Sequence, residues 1–189
     1  NFVFVSALSA RRSLARPPGP CFLYDTPRSL PYGTHTYTTA LLALTVGVRA
    51  AMIEQPLQDT DLVEHAKLQK MINTPVCLDE SVKSPRDFRL AIELEACRVI
   101  NVKPGRVGGL YHAKRIHDMA YNEGMEAWVG GMLESGVGAG ICAALGTLPG
   151  FTYPADLFPS TKFYVEDITE PWVEQDADCA VVLSDRVGV

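Results

Sequence analysis

The chain has 189 residues, 47% hydrophobic and 21% charged, enough for a sizeable core in one complete or partial domain. Its net charge of −5 and pI near 5.4 argue against a nucleic-acid partner. No stretch approaches about 18 consecutive apolar residues, so neither a transmembrane helix nor a membrane partner is expected. The five cysteines lack any CxxC spacing, which fits a reducing cytoplasm better than a disulfide scaffold or a zinc site.

Charge divides the chain near Met52. Residues 1–51 hold five Arg, one Asp, no Lys and no Glu, whereas residues 52–189 hold 12 Lys plus Arg against 21 Asp plus Glu. Pro17, Pro18, Pro20, Pro27 and Pro31 break the first segment, and no strand–helix alternation develops before an apolar run from Thr38 to Met52. Three readings compete: a targeting peptide, a poorly ordered extension, or a stretch translated out of frame. The abrupt change of composition favours the third. The expected division is an atypical N-terminal segment, 1–51, followed by a barrel portion, 52–189.

From Met52 on, short apolar runs alternate with helix-length segments. Met52–Pro56 reads as a strand, followed by a helix over Asp59–Ile72 with Asp59, Thr60 or Asp61 as N-cap and Leu62, Ala66, Gln69 and Ile72 near one face. Val76–Asp79 is the second strand. Ser84-Pro85-Arg86-Asp87 is a strong helix start, with Ser as N-cap, Pro at the first helical position and a carboxylate at the third. Phe88, Ala91, Ile92 and Glu95 define that helix. Cys97–Lys103 is the third strand. Gly108 and Gly109 lead into a helix carrying Ala113, Ile116 and Ala120, which Gly124 stops as a left-handed cap. Met125–Val129 is the fourth strand. A glycine-rich loop, Gly130–Gly136, follows it and leads to a helix from about Ala139 to Leu148. Phe151–Pro154 and Cys179–Leu183 read as further short strands, the first with Asp156 just beyond its tip.

Such alternation implies right-handed βαβ units and a parallel sheet. A period of 23–29 residues, with no GxGxxG after the first strand, favours a barrel over a doubly wound sheet. Glu54, Asp79 and Lys103 then occupy equivalent strand tips, 25 and 24 residues apart. Carboxylates so placed make a hard oxygen site suited to Mg²⁺, and a lysine on the next tip adds a base or a cation. That chemistry suits proton abstraction beside a carboxylate, because the weakly acidic α-proton leaves only if the developing charge is stabilised. Charged strand tips can equally be plain loop anchors, and this is the competing reading for Arg106 and Asp156. His65, His112 and His117 lack metal spacing and read as surface or helix-packing residues. Cys77 and Cys97 read as buried small hydrophobes, and Trp128 and Trp172 as packing residues.

Four motifs carry a resemblance: Met52-Ile53-Glu54-Gln55-Pro56-Leu57, Leu78-Asp79-Glu80-Ser81, Ile100-Asn101-Val102-Lys103-Pro104-Gly105-Arg106-Val107-Gly108-Gly109 and Gly130-Gly131-Met132-Leu133-Glu134-Ser135-Gly136. In this order and at these separations they resemble the o-succinylbenzoate synthase and N-acylamino acid racemase family, in the muconate-lactonising branch of the enolase superfamily. Enolase-superfamily sites pair a lysine or histidine base with Mg²⁺. The resemblance covers about residues 52–172. It implies a capping domain and a (β/α)7β barrel, of which this chain would be a C-terminal, partial TIM-type portion without the cap. It implies Glu54 and Asp79 as two of three Mg²⁺ ligands, and Lys103 as the acid/base lysine. Glu80 and Asn101 would stand just behind them, with Gly131, Met132 and Glu134 on the substrate side. The implied reaction is syn dehydration to o-succinylbenzoate, a menaquinone precursor, or racemisation of N-acylamino acids by two opposed lysines. A small carboxylate is the implied substrate, and a homo-oligomer is allowed for.

The family also carries a Lys-x-Lys motif and an earlier metal-ligand aspartate. Ser29 stands where that aspartate belongs, Asp25 lies close by without the matching context, and residues 1–51 contain no lysine. The expectation is therefore a truncated, impaired version of the parent enzyme. A dipeptide epimerase or a muconate cycloisomerase is the runner-up within the enzymes. A non-catalytic half-barrel fragment is the reading of another class.

Overall fold

The structure is a computed structural model and describes residues 51–170, 173–178, 180 and 181. The chain divides into two units. One holds the residues up to Ser81 together with Ala91–Arg98; the other holds Val82–Leu90 and the chain from Val99 onward.

In the first unit, strand β1 (Ile53–Glu54) pairs in parallel with β2 (Val76–Leu78), with Ile53 opposite Val76 and Glu54 opposite Cys77. Between them in sequence runs helix α1 (Leu62–Met71), whose N-cap is Asp61: its carboxylate accepts the Glu64 N–H at 2.9 Å. Of the three candidate caps, Asp61 is used because it sits three residues before Glu64, the spacing that side-chain capping needs. Ala66, Gln69 and Ile72 are buried, as the helical spacing demands, and Leu68 joins them. Gln69 is buried because it closes the next turn: its Oε1 accepts Val76 N–H at 2.7 Å and its Nε2 donates to the Ile72 and Thr74 carbonyls.

Helix α2 (Pro85–Glu93) crosses the division between the units. Its start is the one the sequence announces. Ser84 Oγ accepts Asp87 N–H at 3.3 Å, and Asp87 Oδ2 takes Ser84 O–H at 2.9 Å and Lys83 N–H at 3.1 Å. Phe88 and Ala91 are fully buried, while Glu95 lies beyond the helix end at φ +56° and is exposed. The expected role of Glu95 on the helix face is thus corrected; it belongs to the turn that ends it.

In the second unit, β3 (Val99–Val102) pairs in parallel with β4 (Glu126–Val129), Val99 opposite Glu126 and Val102 opposite Val129. A single helical turn, α3 (Pro104–Val107), follows β3 directly and precedes α4 (Leu110–Asn122). The expectation of a plain glycine loop there missed this turn, which four residues are too few to signal by periodicity. Ala113, Ile116 and Ala120 form the buried side of α4, and Gly124 takes the left-handed φ of +66° that ends it. Helix α5 (Gly136–Gly146) starts three residues earlier than expected. The segment after it reaches β4 only as isolated parallel bridges, Ala127 with Phe151 and Gly130 with Asp156. A 3-10 turn at Ser160–Lys162 closes the fold, and Gln175 and Val181 form one antiparallel bridge. Most of the Cys179–Leu183 strand, Trp172, and the Thr38–Met52 run before Ala51 lie outside the described residues. Cys77 and Cys97 are free and buried and Trp128 packs in the core, as expected, and Cys142 is free and buried as well.

Candidate active site

The residues singled out for chemistry cluster at or just beyond the C-terminal ends of the strands. Glu54 closes β1, Asp79 follows β2, Lys103 follows β3 and Gly130 follows β4.

The first unit carries the two carboxylates. Glu54 and Asp79 are each only 5% exposed. Their neighbour Gln55 ties them together. It is buried and takes φ +38°, a conformation that costs a non-glycine residue on the order of 1–3 kcal/mol and persists only where the surroundings over-determine it. Here they do. Gln55 Oε1 accepts the Asp79 N–H at 2.9 Å and the Ser81 N–H at 3.2 Å, while Nε2 donates to Ser81 Oγ at 2.7 Å and to the Leu57 carbonyl at 3.2 Å. Glu80 lies exposed in the turn between these two anchored amides.

His65, on α1, is fully buried behind Gln55. Its Nδ1 stands 2.7 Å from the Asp61 carbonyl, which can only accept, so Nδ1 carries the proton. Nε2 then accepts Leu57 N–H at 3.3 Å, and Gln55 Nε2 lies at the same distance. Burial pushes His65 below the usual imidazole range; the hydrogen bond to the Asp61 carbonyl and the Asp61 charge pull weakly the other way. The sign follows directly. A histidine whose folded pKa is lowered leaves stability intact above about pH 6.5 and erodes it as pH falls from there toward the lowered value. We expect His65→Gln to flatten the stability profile between about pH 5 and 7. Urea melts at stepped pH check this; an unchanged slope in the variant would count against it.

The second unit carries the lysine. Asn101 is fully buried on β3, and Lys103 is half-buried. Gly130 leaves room for both: a Cβ there would overlap Asn101 Oδ1 and stand 2.9 Å from Asn101 Cγ and 2.7 Å from Lys103 Cε. Arg106 anchors its own loop, with Nε on the Val82 carbonyl at 2.8 Å and Nη2 on the Asn101 carbonyl. The loop-anchor reading of Arg106 therefore holds. Asp156 sits beside Gly130 and Gly131, its carbonyl accepting Gly131 N–H at 2.9 Å. Burial raises its carboxyl above the usual range, while the charges of Lys103 and Lys162 pull it down. The loop after β4 is open: Met132 is 53% exposed, and Gly131 is partly so. Glu134 Oε1 accepts Met132 N–H at 3.2 Å, and Gly138 has no side chain where the Glu134 carboxylate lies. Asp167 caps α5 from a distance, accepting Gly136 N–H with both oxygens at 3.0 and 2.9 Å. Burial pushes the Cys97 thiol up to about 12, and burial with the Glu134 charge does the same for Cys142, so neither is a nucleophile at neutral pH.

His112 and His117 are helix-packing residues: His112 Nδ1 donates to the Val107 carbonyl, and His117 Nε2 accepts Gly150 N–H while Nδ1 donates to Asp118. Gln55 has no role in the sequence reading, and Gly130 has one only as part of a glycine-rich loop; both lie inside quoted motifs, but their partners are remote in sequence.

The family described as enolase C-terminal domain-like matches residues 31–189. The chain belongs to that family. The enolase C-terminal domain is the barrel part of the superfamily's fold, so the barrel expectation holds over the doubly wound one. The o-succinylbenzoate synthase of Geobacillus kaustophilus is 52% identical over 123 residues, 65% of this chain and 33% of its own length. The N-succinylamino acid racemase of an Amycolatopsis species is 46% identical over 138 residues, covering 73% of the chain and 38% of that relative. An enolase-superfamily member from Listeria innocua superposes with a TM-score of 0.69 at 38% identity, over 75% of this chain and 38% of that one. The chain thus spans about a third of the length of the curated relatives it matches.

The family implies a divalent cation. Two buried carboxylates at the ends of neighbouring parallel strands are donors of the right kind for a hard cation. The number stops at two: among the described residues, no group of three or more His, Cys, Asp or Glu is placed to hold a metal.

Proposed function

We propose that this chain forms part of a Mg²⁺-dependent enzyme that removes the proton beside a substrate carboxylate, as an o-succinylbenzoate synthase or an N-succinylamino acid racemase. The observation that carries the reading is that Glu54 ends β1, Asp79 directly follows β2 and Lys103 directly follows β3, each at the C-terminal end of its strand. It is supported by kinship to enzymes of both names. Glu54 and Asp79 would be two of the cation's ligands; when bound, Mg²⁺ stabilises negative charge developing on the substrate carboxylate. Lys103 holds and moves the α-proton. Its stem is packed across Gly130, which fixes the amine's approach, and half-burial limits the water that competes for it. The open Gly131–Glu134 loop is the natural contact for the rest of the substrate, a small carboxylate met in the cytoplasm.

The two reactions ask different things of the site: in dehydration the lysine that takes the proton can protonate the departing hydroxyl from the same face, whereas racemisation needs a second base on the opposite face.

The full-length protein that contains this chain, supplied with Mg²⁺, tests the reading. The succinyl-hydroxycyclohexadiene carboxylate should yield the aromatic product, read by ultraviolet absorbance. N-succinylamino acids in D2O should show whether the α-hydrogen exchanges. Racemisation without aromatic product would shift the assignment to the racemase, and neither reaction would leave the non-catalytic reading.

A further inference from the structure

Gln55 directly follows a candidate ligand, Glu54, and binds the backbone on both sides of the turn that starts at the other, Asp79. Core packing alone does not ask for this. A buried aliphatic residue would fill the space without the left-handed φ and without a polar group to satisfy. The carboxamide instead does two jobs at once. One end accepts two backbone N–H groups; the other donates to Ser81 Oγ and the Leu57 carbonyl. Of the twenty side chains, only a carboxamide both accepts and donates in this way at this reach. Glutamate would turn a carboxylate toward the Leu57 carbonyl, and asparagine is one methylene short.

We propose that Gln55 is a positioning residue for the cation ligands: its carboxamide fastens the Asp79 turn to the end of β1 and so sets the spacing of the Glu54 and Asp79 carboxylates before a cation binds. His65, as its Nδ1–H tautomer, backs the amide with Nε2 and holds the Leu57 N–H beside it. The strained backbone at residue 55 is what aims the side chain at the turn. This inference rests on the reading of Glu54 and Asp79 as cation ligands.

The experiment uses the full-length chain, with Mn²⁺ as the probe followed by water-proton relaxation, and amide hydrogen exchange followed by NMR. Gln55→Leu, Gln55→Glu and Asp79→Asn are compared with the parent. In Gln55→Leu the Asp79 and Ser81 amides should exchange at least about tenfold faster, while the amides of α1 keep their protection. Mn²⁺ affinity should fall by about tenfold or more, the usual effect of removing a group that orients a ligand. Gln55→Glu should weaken Mn²⁺ in the same direction, and it decides by the same criteria if the α1 amides show that Gln55→Leu does not fold. Two results overturn the proposal while leaving the ligand reading intact: amides that stay protected in Gln55→Leu, or amides that open with Mn²⁺ affinity unchanged while Asp79→Asn lowers it. If Asp79→Asn leaves Mn²⁺ binding as it was, or the parent binds no Mn²⁺, the ligand reading fails first and the proposal falls with it.

Discussion

Lys103→Ala in the full-length protein should lower kcat by about 10²–10⁴, the range that a positioned general acid–base group supplies, while the fold stays unchanged. The backbone at Lys103 does structural work that alanine can keep up: its carbonyl accepts Arg106 N–H at 3.0 Å and Val107 N–H at 3.1 Å, which holds the α3 turn. The amine itself is what alanine removes. Lys103→Arg should be nearly as inactive, because a guanidinium stays protonated at any working pH and cannot take the α-proton. Loss of α-hydrogen exchange in D2O is the direct readout. Exchange at the parental rate in Lys103→Ala, with a parental melting curve, would remove this residue from the chemistry.

Gly130→Ala should damage both stability and rate. The new methyl would overlap Asn101 Oδ1 and press on Lys103 Cε at 2.7 Å. Lys103 can swing aside, but Asn101 is fully buried and held in the wall of β3, so relief must come from the strands or from an off-rotamer side chain. Overpacking of this kind costs about 1–3 kcal/mol, or roughly 2–12 °C in Tm for a chain of this size. Displacing the lysine by about 1 Å adds on the order of 10²-fold in rate. Gly146→Ala is the control, since its Cβ would meet nothing nearer than Val129 Cγ2 at 3.8 Å. Parental Tm and kcat in Gly130→Ala would show that the pocket yields, and that Lys103 does not depend on this gap.

Much of the local structure was legible because its causes are local. Ser84, Pro85 and Asp87 lie within four residues and make the α2 cap from their own side chains. Gly124 ends α4 through its own φ, and Ala113, Ile116 and Ala120 declare their face through spacing alone. Where reading failed, the reason was length or distance. The α3 turn is too short to be periodic. Glu95 continued the helical spacing of α2 yet lies past its end, where the chain has already turned to φ +56°. The Phe151–Pro154 strand shrank to isolated bridges, and no pattern in four residues distinguishes a strand from a bridge.

The candidate site divides in the same way. Glu54, Asp79 and Lys103 were visible in the sequence because a parallel strand's buried apolar run must stop at its tip, and a charge there stands out. Their alternation with helices also determined the parallel α/β class. What the tertiary structure alone decided is which uncharged groups hold those charges in place. Gln55 reaches amides 24 and 26 residues away, Gly130 makes room for side chains from another strand, and Asp167 caps a helix 31 residues earlier in the chain. Such partners are chosen by packing. A hydrogen bond or a gap between remote residues leaves no mark on either stretch until the fold brings them within reach.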